Sequence, residues 1–282
     1  MDRDTAMRLF EDYMAMTGVA SLSFEKTEGE LAFLEGKKLG IVNGSSWITL
    51  WSTFFGRTIL PGVKLVNVGN EAQQLNFMGA HARGEECPPL ANIQKTCCYA
   101  RDLCELYRPD AILLTCSTMN RAYTHVEKAL EGYDVPLVQI DAPMMERAVQ
   151  TQGNILIVAT HGPTVNSTQA LLEETAQKCG RKGELCFCGT TVEEAFERLG
   201  AGDVRGHNRI IAQAIQKAQQ QTKIHCVVLA QLSMSVFCIE HPQAEKEFGV
   251  PVLCSGVEGF CRVREIFRQQ AQQARLEQNK GG

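Results

Sequence analysis

Residues 110–120 combine the pattern of a buried strand with side chains that could do chemistry. Four apolar residues occupy 111–114, and Cys116, Ser117 and Thr118 follow shortly after them. An apolar run of this kind that ends in a turn is typical of a core strand in a parallel sheet. Ligands of open α/β folds bind just beyond the carboxyl ends of such strands. We therefore interpret Cys116 as a candidate nucleophile or proton-transfer group, with a buried apolar cysteine as the alternative.

A thiol in this place needs its surroundings in order to react at neutral pH. A free cysteine has a pKa of about 8.5, and a helix N-terminus or a neighbouring cation lowers that value. The sequence predicts a helix over 118–132. The N-terminus of that helix would lie beside Cys116 and could supply the stabilisation.

Strand and helix patterns alternate along most of the chain. Strands are predicted at 38–42, 63–68, 110–116, 135–140, 154–160, 184–188, 225–231 and 250–254, with helices between most of them. Such alternation indicates right-handed βαβ units and a parallel sheet. Residues 69–90 are rich in Gly, Asn and Pro, and we predict a long loop there, of the kind that often carries function.

The two halves of this series have nearly the same spacing. Counting from Cys116 to Pro136 gives 20 residues, and counting from Gln231 to Pro251 again gives 20. Upstream, Asn43 precedes Cys116 by 73 residues, and Ala159 precedes Gln231 by 72. Matching strand order and spacing indicate an internal repeat, although βαβ units of similar length are the alternative explanation.

We therefore predict an α/β protein with two pseudosymmetric lobes, each a parallel sheet flanked by helices, and an active-site cleft between them. Residues 1–37 form an N-terminal helical extension in this prediction. The first lobe covers 38–150, with a C-terminal helix at 257–274 that packs back on it, and the second lobe covers 151–256. If the lobes face each other, the strand ends at Cys116 and Gln231 meet across the cleft, where a ligand would bind.

The composition excludes several classes of protein. Of the 282 residues 44% are apolar and 21% are charged, and the formal net charge is −4. No basic stripe is present, so we expect no nucleic acid and no membrane among the partners. Apolar runs stay well below the roughly 18–20 residues of a membrane span. With no secretory signal apparent, the 12 cysteines are expected to be reduced in a cytoplasmic protein. The spacings Cys97-Cys98 and Cys186-Phe187-Cys188 do not fit zinc knuckles, so no metal is expected.

The motifs and the repeat together resemble the aspartate/glutamate racemase superfamily, over about 38–265. Leu114-Thr-Cys-Ser-Thr118 is similar to the family's first motif, a strand that ends in Cys-Asn-Thr or Cys-Ser-Thr. Residues 159–165 (Ala-Thr-His-Gly-Pro-Thr-Val) are similar to the start of its second lobe, and Asn43-Gly44-Ser45 to its first-strand loop. The resemblance implies two α/β lobes, no cofactor, a small carboxylic-acid or amino-acid substrate, and a homodimer as a possible assembly.

One departure from the family pattern affects the expected mechanism. Two-base racemases use a thiolate to remove the α-proton and an opposing thiol to deliver one, and the second thiol belongs to a Gly-Cys-Thr motif. Here that place reads Ala230-Gln231-Leu232-Ser233. A glutamine side chain does not titrate, so it cannot be an acid or a base. It can still donate a hydrogen bond to a carboxylate or an enediolate oxygen.

The resemblance implies an isomerase of the amino-acid racemase type that acts at the carbon α to a carboxylate, with Cys116 as acid/base. His161 is a candidate second acid/base group, and a capping or surface histidine is its alternative. The candidate substrate-binding residues carry amide or hydroxyl groups near strand ends and helix starts, where they could instead cap helices: Asn43, Ser45, Ser117, Thr118, Thr160, Thr164, Gln231 and Ser233. A one-cysteine decarboxylase of the arylmalonate type and an inactive small-acid binding protein remain as alternatives.

Overall fold

A computed structural model describes residues 2–17, 27–181, 183 and 185–280, and at 118, 120, 162, 163, 279 and 280 it describes the backbone only. The chain divides into two compact units. We call Met1–Gln139 with Phe260–Gly282 lobe 1, and Ile140–Gly259 lobe 2. In the described part of the chain, no helix is long and apolar enough to span a membrane.

Lobe 1 contains a four-stranded parallel sheet with the strand order β2-β1-β3-β4. Its strands are β1 (Lys38–Val42), β2 (Lys64–Val68), β3 (Ala111–Leu114) and β4 (Leu137–Gln139). Its helices are α1 (Arg3–Thr17), α2 (Thr49–Ile59), α3 (Glu71–Ala82), α4 (Leu90–Asp102) and α5 (Tyr123–Ala129). Val42, Ile112 and Leu114 pack against Leu103 and Val126, which buries one face of the sheet.

Lobe 2 repeats that sheet, with the strand order β6-β5-β7-β8, all parallel. Its strands are β5 (Gly153–Ala159), β6 (Leu185–Thr191), β7 (Cys226–Leu229) and β8 (Val252–Cys254). Its helices are α6 (Ala142–Ala148), α7 (Gly162–Lys178), α8 (Glu193–Gly200), α9 (Val204–Gln221), α10 (Val236–Glu240) and α11 (Ala244–Phe248). The last helix, α12 (Ser255–Lys280), begins in lobe 2 and continues in lobe 1.

Both faces of the lobe 2 sheet are buried, as expected of parallel strands covered by crossover helices. Ile157 and Val228 pack against Leu172 on one face, and Val158 and Leu229 belong to the cluster on the other face. The predicted α/β class and the two-lobe organisation are therefore confirmed.

Two local predictions were wrong. The expected loop over 69–90 contains α3, which Asn70 caps by accepting a hydrogen bond from the backbone N–H of Ala72 at 2.9 Å. The helix predicted at 118–132 starts as a 3₁₀ turn over Ser117–Ala122, and α5 follows it.

Candidate active site

The strand registers locate the same position in each lobe. Val42 pairs with Leu114 in lobe 1, and Val158 pairs with Leu229 in lobe 2. Cys116 lies two residues beyond Leu114, and Gln231 lies two residues beyond Leu229. The two residues therefore occupy equivalent places at the carboxyl ends of the central strands.

Cys116 lies against the loop that follows β1. A Cβ atom built on Gly44 would overlap Cys116 Sγ, so only a glycine allows the thiol to occupy this place. The Cys116 carbonyl accepts a hydrogen bond from the backbone N–H of Met119 at 3.0 Å, which closes the turn after the strand. The thiol is partly buried. The close approach of Gly44 fixes one side of the Cys116 side chain.

Asn43 lies under this contact with its side-chain hydrogen bonds complete. Its Oδ1 accepts from Thr115 Oγ1 at 2.6 Å and from Ser52 Oγ at 2.7 Å. Its Nδ2 donates to Asn67 Oδ1 at 3.0 Å and to Thr49 Oγ1 at 3.3 Å. Two donor and two acceptor positions are all the capacity of an amide side chain. In this arrangement Asn43 supports the strand ends and has no capacity left for a ligand.

Gln231 is held by Thr160, the residue that directly follows β5. Its Oε1 accepts from the backbone N–H of Thr160 at 2.7 Å and from Thr160 Oγ1 at 2.9 Å. A backbone N–H only donates, so the oxygen end of the amide must face Thr160. The Nε2 end is consequently the end that remains to donate to another group.

His161 follows Thr160 and precedes α7. Its ring packs edge-on against Phe196, with the ring centroids 4.6 Å apart. Burial lowers the pKa of His161 below its ordinary value, and the Glu193 carboxylate offsets part of that effect. The imidazole is therefore neutral near pH 7, when it can accept a proton.

The hydroxyl candidates differ in their burial. Thr160 is fully buried, Ser45, Thr164 and Ser233 are nearly so, and Ser117 is partly exposed. Thr164 lies in the first turn of α7, where its N–H donates to the His161 carbonyl at 3.0 Å. The side chain of Thr118 lies outside the described residues.

Two residues outside the predicted site stand beside the central strand ends: Gln139, and Cys254, for which the sequence left open a substitute for the second thiol or a core cysteine. Gln139 pairs with Leu114, and Cys254 pairs with Leu229 in the same relation. Gln139 Nε2 is buried and has no hydrogen-bond acceptor among the described residues. Cys254 is 2% exposed. Lobe 1 thus has Cys116 after its central strand and Gln139 on the neighbouring strand. Lobe 2 has Gln231 and Cys254 at the same two positions, so the two residue types are exchanged.

The sequence itself matches one protein-family model. Residues 90–259 match the model described as Asp/Glu/Hydantoin racemase. The chain belongs to this family. Membership supports the predicted resemblance and an enzyme of the racemase type. No curated protein matches the chain.

Solved structures share the fold at low sequence identity. A glutamate racemase from Bacillus anthracis is 14% identical with a TM-score of 0.59, over 84% of this chain and 83% of that one. An allantoin racemase from Klebsiella pneumoniae is 15% identical with a TM-score of 0.56, over 83% and 89%. An arylmalonate decarboxylase is 14% identical with a TM-score of 0.52, over 82% and 92%. At these identities the likeness shows the fold alone.

Proposed function

We propose that this protein is a cofactor-independent enzyme that moves a proton at the carbon α to a carboxylate, in an amino acid or a related small acid. Cys116 is the acid/base group in this proposal. The observation that carries it is the position of Cys116 at the carboxyl end of a central strand, against Gly44, in a chain of the racemase family. The turn over Ser117–Ala122 follows the thiol directly, and we assign backbone N–H groups of this turn to the stabilisation of an anion.

The remaining groups divide into a second acid/base and substrate binders. His161 is the second titratable group that we assign to the reaction, because its lowered pKa keeps it neutral and able to accept a proton. Gln231 Nε2 donates to a substrate carboxylate or to an enediolate oxygen. The hydroxyls assigned to the substrate are those of Ser45, Ser117, Thr118, Thr160, Thr164 and Ser233.

A second candidate reaction is decarboxylation with a single thiol. In such a reaction carbon dioxide leaves, and Cys116 protonates the enediolate from one face. The observation that favours it is Gln231, whose amide cannot titrate and whose oxygen is committed to Thr160. The decarboxylase among the structural neighbours has the same fold.

Solvent isotope exchange tests the first proposal. The protein is incubated in D2O with single enantiomers of amino acids and small 2-substituted acids, and α-deuterium is measured by NMR and mass spectrometry. We expect deuterium in at least one acid with wild-type protein and none in its absence. A complete lack of exchange across the panel would contradict proton transfer at the α-carbon, and release of carbon dioxide from a malonate would favour the second candidate.

A further inference from the structure

The buried polar residues beneath Cys116 form one connected network. Asn43 is its centre, with Ser52 and Thr115 on its oxygen and Asn67 and Thr49 on its nitrogen. Asn67 in turn donates from Nδ2 to Thr53 Oγ1 at 3.4 Å. The members come from β2, from α2 and from the residues that directly follow β1 and β3. The network therefore connects α2 and β2 with the chain segments that precede Gly44 and Cys116.

The network holds the backbone on both sides of the thiol. Thr115 directly precedes Cys116, and its backbone N–H donates to the Val42 carbonyl at 3.0 Å. Asn43 directly precedes Gly44, the residue in contact with Cys116 Sγ. Asn43 also donates its backbone N–H to the Val68 carbonyl at 2.7 Å. Movement of either segment would move Cys116 against Gly44, so the network controls where the sulfur lies.

The equivalent positions in lobe 2 do not support such a network. Counting from the paired strand ends, Ala159 stands in the place of Asn43, Ala230 in that of Thr115, and Val165 in that of Thr49. Gly189 stands in the place of Asn67, and a Cβ there would overlap Val165. Of these positions only that of Ser52 keeps a polar residue in lobe 2, Thr168, so the connected polar network beneath Cys116 has no counterpart beneath Gln231. Burying amide and hydroxyl groups is costly unless all are paired, so a purely structural role would be met as well by the largely apolar set of lobe 2, in which Thr168 alone carries a hydroxyl.

We propose that the Asn43 network, with Ser52, Thr115 and Asn67 as its members, is a positioning device for Cys116. The inference rests on Cys116 as the reactive group of the proposed function. None of these side chains needs to touch the substrate. They keep the sulfur against Gly44 and close to the backbone N–H groups of the turn over Ser117–Ala122, which stabilise the thiolate.

Site-specific alkylation tests the positioning directly and needs no substrate. Iodoacetamide is applied to the native protein across a range of pH, and modification of Cys116 is quantified by peptide mapping with tandem mass spectrometry. The variants are Ser52→Ala and Thr115→Val, which delete one hydroxyl each. Alanine is a better helix former than serine, so Ser52→Ala does not weaken α2 through propensity. The matched control is Thr168→Val, which deletes a buried hydroxyl at the position of lobe 2 that corresponds to Ser52.

We expect both lobe 1 variants to move the alkylation midpoint of Cys116 to higher pH. The rate at neutral pH should fall about fivefold, which corresponds to one hydrogen bond worth about 1 kcal/mol. Thr168→Val should keep the wild-type profile. An unchanged or faster alkylation of Cys116 in both lobe 1 variants, with only the melting temperature lowered, would overturn the proposal.

The same variants separate the positioning role from the proposed reaction. With a substrate found by isotope exchange, Ser52→Ala should lower kcat with little change in KM, because a displaced sulfur transfers protons poorly but leaves the binding groups in place. If no acid exchanges with wild-type protein while the alkylation profiles still shift as expected, the network inference stands and the reaction assigned to Cys116 fails.

Discussion

The carboxyl ends of β3 and β7 have the same strand register in their sheets but carry different side chains. In lobe 1 a thiol, Cys116, lies against a glycine over a polar network. In lobe 2 an amide, Gln231, is clamped by the hydroxyl and the backbone N–H of Thr160 over apolar residues. A small residue at 44 leaves room for the sulfur, and a threonine at 160 occupies the corresponding space and binds the amide oxygen. One strand end thus carries a thiol, a group that can titrate, and the other carries an amide, which cannot.

The neighbouring strand ends repeat the contrast in exchanged order. Gln139 stands beside the thiol of lobe 1, and Cys254 stands beside the amide of lobe 2. Cys254 is nearly completely buried, whereas Cys116 is partly exposed. The two strand-end cysteines thus differ in their access to solvent, and we assign the reaction to Cys116 because a ligand must reach the reactive thiol.

The largest effect is expected from filling the space that the glycine leaves in lobe 1. Gly44→Ala adds a Cβ that overlaps Cys116 Sγ, so the thiol must move. A misplacement of about 1 Å can cost about a hundredfold in rate, and we expect a loss of isotope exchange of that order. Gly200→Ala in α8 is the control, since a Cβ there meets nothing within 4 Å. Full exchange activity in Gly44→Ala would show that the Gly44 contact is dispensable.

An intermediate effect is expected from removing the clamp in lobe 2. Gln231→Leu leaves the N–H and Oγ1 of fully buried Thr160 without their shared acceptor. An unsatisfied buried donor costs about 1–3 kcal/mol, so the free energy of unfolding in urea should fall by that amount. Gln231→Glu keeps an oxygen in place and should lose less. Equal losses in the two variants would mean that the amide oxygen is unimportant for stability.

The smallest effect is expected from a change of pH. We assign this effect to lobe 2, because the lobe 1 position that corresponds to His161 is Ser45, which does not titrate. Burial lowers the pKa of His161 and of His207 in the folded state. The unfolded chain therefore binds more protons as pH falls below about 6.5, and stability is lost in that direction. Melting temperatures at pH 7.5 and 5.5 should differ less in His161→Gln than in wild type. An identical fall in melting temperature in both proteins would show that His161 does not contribute to the pH dependence of stability.

Much of the fold was predictable because periodicity and spacing report on strands and repeats. The matching intervals after Cys116 and Gln231 predicted two lobes with the same strand order, which the registers confirm. Helix α3 was missed because the Gly, Asn and Pro residues around it dominate the local pattern. Asn70 before Glu71 was the available signal, as a side-chain cap followed by an acidic first turn.

The site was less predictable than the fold. Asn67 lies 24 residues after Asn43 along the chain, and Thr115 lies 72 residues after it, yet all three belong to one buried network. A polar residue in a sequence does not name its partner, so Asn43 was assigned to the substrate. The pairing of Gln139 with Leu114 likewise depends on strand order and register. Counting both lobes from the ends of their central strands would have singled out Gln139, the counterpart of Cys254, from the sequence.

The most direct test of the account compares the two strand-end cysteines by isotope exchange. Cys116→Ala and Cys254→Ala are measured in D2O beside wild type, with the acid that exchanges best. Acid/base catalysis by one group typically contributes about 10²–10⁴-fold, so Cys116→Ala should lose at least about a hundredfold. Cys254→Ala should keep wild-type exchange and lose only stability, because its side chain is buried in the lobe 2 core. Exchange that survives in Cys116→Ala and disappears in Cys254→Ala would contradict the assignment of the reactive thiol to lobe 1.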